Sequence, residues 1–346
     1  MRGHLLIFTA LFLAFSSCSS DSDERTALQD IYKWSKLSLT APSDAQYWEN
    51  ALSAPWSKVQ SGEIVIPGVI FDDEGHVVEL YLMNKYLEGK LPESIGSFKY
   101  LRLLRLEENQ LTSLPKSVGK LTNLQEFNIS NNQIESLPES IGKLTSLKVF
   151  SIQKNQLTDL PNSLGEMINL ETLRIMENRL TTLPSSIGNL SNLTSLVLWR
   201  NQLTEIPNSI GELYNLKLLD VSRNKLKMLP NNIGKLTQLE TLNVNHNQLS
   251  EIPSDIGNLS NLKKLDLSNN EIKLLPQTLE NLSALRTLNL NSNMLSGQLP
   301  QMFISLGNHL FELRINDNRF DNQQGEVHQW LRKQYRITYI HSFPSY

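Results

Sequence analysis

The residues best suited to chemistry lie in the middle of the chain, where an aspartate, a serine and a histidine occur close together. Asp220 and Ser222 are two positions apart and would share one face of an extended strand, and His246 follows in the next segment of similar sequence. Such a trio acts as a nucleophile only beside an oxyanion hole and within an enclosed pocket. The surrounding sequence has no glycine-rich turn that would build one, so we expect no catalytic residue and no enzyme.

The side chains around this trio are instead suited to binding a macromolecule. Met176 and Trp199 are a thioether and an aromatic ring at equivalent positions of two similar segments. Tryptophan, arginine and methionine are enriched at the centres of protein interfaces. We therefore predict a contact centre formed by Met176, Trp199, Arg200 and Arg223, with Arg174, Asp220 and His246 around it. The alternative is that Trp199 only packs over its neighbours on the same surface.

A second binding chemistry is offered by a strip of polar residues that follows. Its members are Asn243, Asn245, Asp266, Ser268, Asn269, Asn289, Asn291 and Asn316. Their carboxamides and hydroxyls can bond sugar hydroxyls while Trp199 stacks on a sugar ring. The same composition is also typical of a solvated surface, and both interpretations stay open.

The elements that must position these residues recur about every 23 residues from Leu91 to about Asn322. Each unit restarts with a Leu-Pro or Ile-Pro pair, at 91–92, 114–115, 137–138, 160–161, 183–184, 206–207, 229–230, 252–253, 275–276 and 299–300. Inside each unit lies the pattern LxxLxLxxNxL, for example from Leu193 to Leu203. Alternate leucines point to one face of a strand, so stacked units would bury them in a shared core. The asparagines would form a column that bonds the backbone at each strand exit.

This repeat pattern resembles that of the leucine-rich repeat family. The resemblance implies an α/β solenoid, a horseshoe with a parallel concave sheet of about 11 strands and short helical or irregular convex segments. A degenerate first copy runs from Val77 to Leu87, with Lys85 in the asparagine position. The junctions LEGKLP and LSGQLP carry an extra glycine, Gly89 or Gly297, and are similar to those of plant extracellular repeats.

Capping units are expected at both ends of the repeat region, 77–322. Residues 25–76 resemble the N-terminal cap of plant-type repeat proteins, with Ile64, Ile66, Gly68, Val69 and Phe71 along its CxWxGVxC motif and apolar residues in place of both cysteines. Residues 323–346 would close the other end. There Val327, Trp330, Leu331 and Tyr335 have helical spacing before a last strand.

The N-terminus predicts export. Residues 1–17 read as a signal peptide, with Arg2 followed by an apolar run, and Cys18 follows two serines as in a bacterial lipobox. Residues 18–24 would form an acidic tether, either an export tag at the outer membrane or a solvated linker. Ordinary secretion and an uncleaved anchor are alternatives to lipidation at Cys18.

The charge and cysteine content of the chain exclude further classes of ligand. The formal net charge is −3, which gives no basic footprint for nucleic acid. The single cysteine excludes thiolate metal sites, and we expect no metal and no cofactor. The sequence thus predicts a surface-exposed recognition platform that binds a protein through its concave face. Glycan binding is the alternative, and a purely structural spacer is a third possibility.

Overall fold

The computed structural model describes residues 23–35, 42–307 and 309–321 and the single positions 327 and 329. The predicted signal peptide, Cys18 and the C-terminal residues Trp330, Leu331 and Tyr335 lie outside them. The chain divides into two compact units, Met1–Gln156 and Leu157–Tyr346.

The first unit begins with helices that pack on the first repeat. Helix α1 covers residues 23–35, α2 spans Pro42–Ser53 and α3 spans Trp56–Gln60. Leu28 and Ile31 are fully buried in α1, as their helical spacing predicts. Glu24, which we placed in the acidic tether, is buried in this helix, and its Oε2 accepts a hydrogen bond from the Val77 N–H at 3.0 Å. Glu24 is therefore part of the cap and not of a solvated linker.

A hairpin joins these helices to the repeats. Strands β1 (Val69–Phe71) and β2 (Val77–Tyr81) pair antiparallel around a turn. Asp72 Oδ1 closes the turn by accepting the N–H groups of Glu74 at 3.1 Å and His76 at 2.9 Å.

The first unit continues with short strands in a repeated register. They are β3 (Glu88–Lys90), β4 (Leu103–Arg105), β5 (Gln110–Ser113), β6 (Glu126–Asn128) and β7 (Val149–Ser151). The main strands β2, β4, β6 and β7 run parallel, with Leu80, Leu104, Phe127 and Phe150 in register. All four of these side chains are at most 1 % exposed, so one core runs along the stack.

The second unit repeats this arrangement. Its strands are β8 (Thr172–Arg174), β9 (Ser195–Val197), β10 (Leu218–Asp220), β11 (Thr241–Asn243), β12 (Lys264–Asp266), β13 (Thr287–Asn289), β14 (Ser296–Gly297), β15 (Glu312–Arg314) and β16 (Arg319–Phe320). All but β14 and β16 pair in parallel in one row. In the described residues, eleven parallel repeat strands are thus present, four in the first unit and seven in the second, as the predicted fold class requires.

The predicted asparagine column is confirmed. Asn224 is typical: its Nδ2 donates to the carbonyls of Leu198 at 3.1 Å, Val221 at 3.0 Å and Ser222 at 3.1 Å. Its Oδ1 accepts the Leu203 N–H at 3.0 Å. Each buried carboxamide therefore ties its own strand exit to the preceding repeat.

On the opposite side, nine of the ten proline pairs are followed by a single turn of 3-10 helix, and the pair at 299–300 is followed by helix α4 (Met302–Gly307). These turns are Glu93–Ser97, Lys116–Lys120, Glu139–Lys143, Asn162–Glu166, Ser185–Asn189, Asn208–Glu212, Asn231–Lys235, Ser254–Asn258 and Gln277–Asn281. The short convex helices are confirmed, and their glycines do not act by reversing the chain. Gly119 and Gly165 have no left-handed backbone, and a Cβ on either would lie 2.4 Å from a carbonyl oxygen of the next repeat. The glycines permit close packing.

The two junctions with an extra glycine differ from the others. Gly89 and Gly297 have φ of 73° and 80°, the left-handed region that glycine enters without a steric penalty. Each lies in a short additional strand, and β3 pairs with β5 while β14 pairs with β16. The inserted residue therefore produces a small second sheet at these repeats.

Candidate functional site

All seven residues of the predicted contact centre lie in the second unit, on strands β8–β11 or directly after them. Arg174, Val197, Asp220 and Asn243 share one row of the strand register. Neighbouring strands lie about 4.8 Å apart, so the four strands present a face about 14 Å wide. The structure therefore places the predicted residues on one continuous surface.

A second column of side chains leaves the chain where the backbone turns after each strand. Glu177, Arg200, Arg223 and His246 have φ of 55°, 56°, 54° and 52°. Left-handed backbone is uncommon for residues other than glycine and asparagine, and here the packed turn and the asparagine column enforce it. Arg200, Arg223 and His246 are exposed at these positions.

Trp199 and Arg200 form the centre of the surface. The Arg200 guanidinium carbon lies 5.7 Å from the centroid of the Trp199 ring, a cation–π distance. Glu177 Oε2 accepts a hydrogen bond from Arg200 Nη1 at 3.0 Å. Met176 and Trp199 are both half-buried. Trp199 thus packs against Arg200 and remains only partly buried, and its part in binding stays a prediction.

Arg223 lies one repeat further along and differs from Arg200. Its side chain is exposed, and among the residues that the structure describes no acceptor bonds its guanidinium. The exposed His246 follows, and its Nδ1 lies 2.9 Å from Asn245 Oδ1. Partial burial lowers the pKa of His246 below 6.5, Arg223 lowers this pKa further, and Asp266 opposes both effects. At neutral pH the imidazole is therefore uncharged, and Arg223 supplies the positive charge.

Asp220 and Ser222 bond to each other and not to His246. Ser222 donates its hydroxyl to Asp220 Oδ1 at 2.6 Å and its N–H to the same oxygen at 3.0 Å. Asn243 Nδ2 donates to the other carboxylate oxygen at 3.1 Å. Within the described chain, the serine hydroxyl and the imidazole make no hydrogen bond to each other, so these three residues do not form a nucleophilic set.

Side chains of the polar strip hydrogen-bond to one another, whereas the sequence suggests side chains that are free to bind solvent or a ligand. Ser268 donates to Asp266 Oδ1 at 2.7 Å, and Asn245 Nδ2 donates to Asn243 Oδ1 at 2.8 Å. Ser222 and Ser268 occupy outward positions of the repeat pattern, but each is only 5 % exposed. Their short side chains fold back onto the acid two residues earlier, a D-x-S pattern that is visible in the sequence.

Sequence reasoning missed the charge pairs between repeats. Glu177 pairs with Arg200, Glu212 Oε1 lies 2.9 Å from Lys235 Nζ, and Glu240 Oε2 lies 2.7 Å from Lys263 Nζ. In all three pairs the partners are 23 residues apart. The sequence signal for these pairs is an acidic and a basic residue one repeat length apart.

The described residues contain neither a membrane-spanning helix nor a cluster of metal ligands. No helix there is long and apolar enough to cross a membrane. No group of three or more histidine, cysteine or acidic side chains there is arranged to hold a metal ion.

Solved structures with the same repeat come from plants and bacteria. The ectodomain of the Arabidopsis thaliana receptor kinase GASSHO1/SCHENGEN3, solved with CASPARIAN STRIP INTEGRITY FACTOR 2, is 31 % identical with a TM-score of 0.73, and the match covers 86 % of this chain and 36 % of that one. The Arabidopsis receptor kinase HAESA, with the peptide hormone IDA and the co-receptor SERK1, is 28 % identical with a TM-score of 0.69, covering 86 % of this chain and 50 % of the other. An internalin of Listeria monocytogenes shares the fold at 21 % identity and a TM-score of 0.58, covering 78 % of this chain and 86 % of the internalin.

Family models agree with these structures. A leucine-rich repeat region model matches residues 76–182 and 162–253, and a leucine rich repeat model matches residues 237–295. A sequence search of curated proteins found no match. The chain spans about a third to a half of the length of the plant receptors it matches. With these matches over more than half of its length, the chain belongs to the leucine-rich repeat family.

Proposed function

We propose that this protein is a non-enzymatic recognition platform that binds a protein partner through the outward face of strands β8–β11. One observation carries the proposal. Arg223, an exposed guanidinium with no acceptor in the described chain, lies one repeat from the half-buried Trp199 and the exposed Arg200. A cation and an aromatic ring side by side are the residue types that dominate binding energy at interfaces.

The backbone under this surface supports tight binding. The asparagine column bonds every strand exit, so the outward side chains start from fixed positions. A preorganised surface loses less conformational entropy when a partner docks.

The surface defines the chemistry of the partner. Arg223 offers donors to a carboxylate, and charge-assisted hydrogen bonds of this kind are about twice as strong as neutral ones. Met176 and the open part of Trp199 offer apolar area beside it. A partner segment with an acidic residue next to an apolar one fits this arrangement.

The structural neighbours support a protein or peptide ligand. The GASSHO1/SCHENGEN3 ectodomain was solved with CASPARIAN STRIP INTEGRITY FACTOR 2, and HAESA with a peptide hormone. This chain shares their repeat but less than two thirds of their length, so their ligands are not transferred to it.

Glycan binding has weaker support. The side chains of Asp220, Asn243, Asn245 and Asp266 bond to one another or to neighbouring serines, so a sugar would have to replace existing hydrogen bonds. Replacing one protein hydrogen bond with another contributes little net free energy.

Export and a lipid anchor at Cys18 complete the proposal. The apolar run before Cys18 and the extracellular parts of the plant neighbours support a surface location. We expect the wild-type chain to incorporate an alkyne-labelled fatty acid and to fractionate with outer membranes. A Cys18→Ala chain should do neither, and a secreted wild type without label would refute the anchor.

The binding proposal is tested by affinity capture from envelope and host-surface extracts. Residues 19–346 carrying Trp199→Ala and Arg223→Ala should lose a protein that the wild type captures. The matched control is Tyr214→Ala with Lys227→Ala, an exposed aromatic and an exposed cation of the same unit outside the strand face. Circular dichroism melts establish that all three chains are folded.

Equal capture by the wild type and the Trp199/Arg223 variant would refute this contact centre. Capture that falls equally in the control variant would also refute it. If no protein is captured specifically by any of the three, the spacer interpretation takes its place.

A further inference from the structure

Strand β1 is the outermost strand of its sheet, because among the described strands it pairs with β2 alone. In an antiparallel pair, successive residues alternate between bonding the neighbouring strand and facing away from it. Gly68 O accepts the Tyr81 N–H at 2.7 Å, and the Asp72 N–H bonds the residue before β2 at 2.9 Å. Gly68, Asp72 and Ile70 between them therefore face β2. The two residues that alternate with these three turn their backbone groups to the open edge.

The open edge offers three backbone groups to another strand. They are Val69 O, Phe71 N–H and Phe71 O, and within the described residues none of them makes a hydrogen bond. The Val69 N–H is used, since it donates to Ile66 O at 3.1 Å. The Phe71 ring packs edge-on against Trp56, with 5.8 Å between the ring centroids, which holds this edge in place. Unpaired groups on alternate residues of a strand are a template for pairing with another chain.

A groove of about 480 Å³ runs along this edge. Its lining comes from residues 59–62 and 64–66, at the end of α3 and in the loop after it, and from residues 69–73. Residues of both faces of β1 line the groove and residues of β2 do not, so it lies along the open edge. Val65 and Ile70 in this lining are 64 % and 48 % exposed. The volume is within the range of about 300–1,000 Å³ that is usual for ligand pockets.

The charge of the groove indicates the chemistry of its occupant. Among the described residues, the charged ones that line it are both aspartates, Asp72 and Asp73. Asp72 is engaged in the turn, whereas Asp73 is exposed and makes no ion pair in the described chain. The nearest cation in the sequence, Lys58, pairs with Glu63 at 3.3 Å. A second copy of the same edge would therefore bring no unpaired cation to Asp73, and a basic segment of another protein complements it better.

We propose that the open edge of β1 is a second binding surface, which takes an extended segment of a partner protein as an added strand. Alternate residues of that segment bond Val69 O and the two backbone groups of Phe71. Its apolar side chains cover Val65 and Ile70, and a lysine or arginine pairs with Asp73. In strand addition of this kind, backbone bonds supply affinity and side-chain contacts supply specificity.

The test uses a fluorescein-labelled hexapeptide of alternating valine and lysine with blocked termini, titrated with residues 19–346 by fluorescence anisotropy. Two further peptides carry N-methyl groups on the valine amides or on the lysine amides. Only alternate amides of an added strand face its neighbour, so one of these two should bind at least about tenfold more weakly and the other should keep its affinity. A peptide with glutamate in place of lysine should also bind at least about tenfold more weakly.

Protein variants locate the binding. Val65→Lys should weaken it at least about tenfold, because it removes apolar contact and adds a charge of the same sign as the peptide. Asp73→Asn should weaken it about threefold, since an exposed ion pair is lost. The matched controls are Met228→Lys and Asp159→Asn, an exposed methionine and an exposed aspartate of the second unit, and both should bind as the wild type does. Circular dichroism melts establish that all four variants are folded.

Several outcomes overturn the proposal. One is no binding of the unmethylated peptide up to about 1 mM. Others are equal affinities of the two N-methylated peptides, or equal effects of the variants and their controls. A dimer in light scattering that Val65→Lys dissociates would also overturn it, because a second copy of this chain would then occupy the edge. The chain with Trp199→Ala and Arg223→Ala should bind the peptide as the wild type does, so failure of this proposal is distinguishable from failure of the contact centre.

Discussion

Arg223 and His246 occupy the same position in successive repeats but differ in charge. Both follow their strands with left-handed backbone and are exposed, but one is always charged and the other is kept neutral by burial and by its neighbour. Because the folded pKa of His246 is lowered, the unfolded chain binds its proton more strongly. The contribution of this group to stability is therefore complete above 6.5 and falls as the pH drops below it.

Replacing Arg223 with Gln should raise the pKa of His246, because one of its two lowering influences disappears. Burial remains, so the pKa should stay below 6.5. An NMR titration of the imidazole resonances measures this value. Arg179→Gln, another exposed arginine of the same unit, should leave the His246 titration unchanged. An unchanged or lower pKa in the Arg223 variant would show that the two side chains do not interact.

Asn224 offers a residue-scale test of the column. Replacing it with Ala leaves three carbonyls and one N–H without their partner, and we expect a loss on the order of 3 kcal/mol in the free energy of unfolding. Asn215 is also an asparagine, but it is exposed and makes one bond, to Ser191 O at 2.8 Å. Asn215→Ala should cost about 1 kcal/mol or less. Guanidinium unfolding of both variants makes the comparison, and equal losses would contradict the proposed role of the column.

At the scale of elements, the sequence predicted what depends on the repeat itself. The strands, the asparagine column and the short turns after the prolines follow from the spacing of leucine, asparagine and proline, because every unit buries the same positions against its neighbours. The burial of Ser222 was not predicted, since its position in the pattern is outward and only its bond to Asp220 turns it inward. Glu24 was assigned to the tether because its neighbours are acidic, whereas its contact with Val77 is 53 residues away.

The glycine of the 3-10 turn is another feature that spacing alone does not explain. A Cβ at position 165 would lie 2.4 Å from Ser186 O and 2.8 Å from Ser186 Cβ, so the repeats would have to separate. We expect Gly165→Ala to destabilise the protein by about 1–3 kcal/mol, the range of overpacking. Thermal unfolding measures this loss. Glu166→Ala changes the adjacent exposed residue and should be nearly neutral, and a neutral Gly165→Ala would refute the close-packing role.

At the scale of the whole molecule, the proposed contact centre lies within the second unit. It has arginines beside a tryptophan on the strand face. The fold alone does not decide between such functions, because leucine-rich repeats present outward side chains that the core does not constrain. The sequence indicated this surface through its unusual outward residues, and their role in binding stays a prediction.

Site-specific crosslinking tests the central claim most directly. A benzoylphenylalanine placed at Val197, in the outward row between Arg174 and Asp220, should form a light-dependent adduct with a captured protein. The adduct should disappear when Trp199→Ala and Arg223→Ala are added, and the same probe at the exposed Tyr214 should give none. An adduct at 214 but not at 197, or no adduct at either position with a partner that is captured, would contradict binding through the strand face.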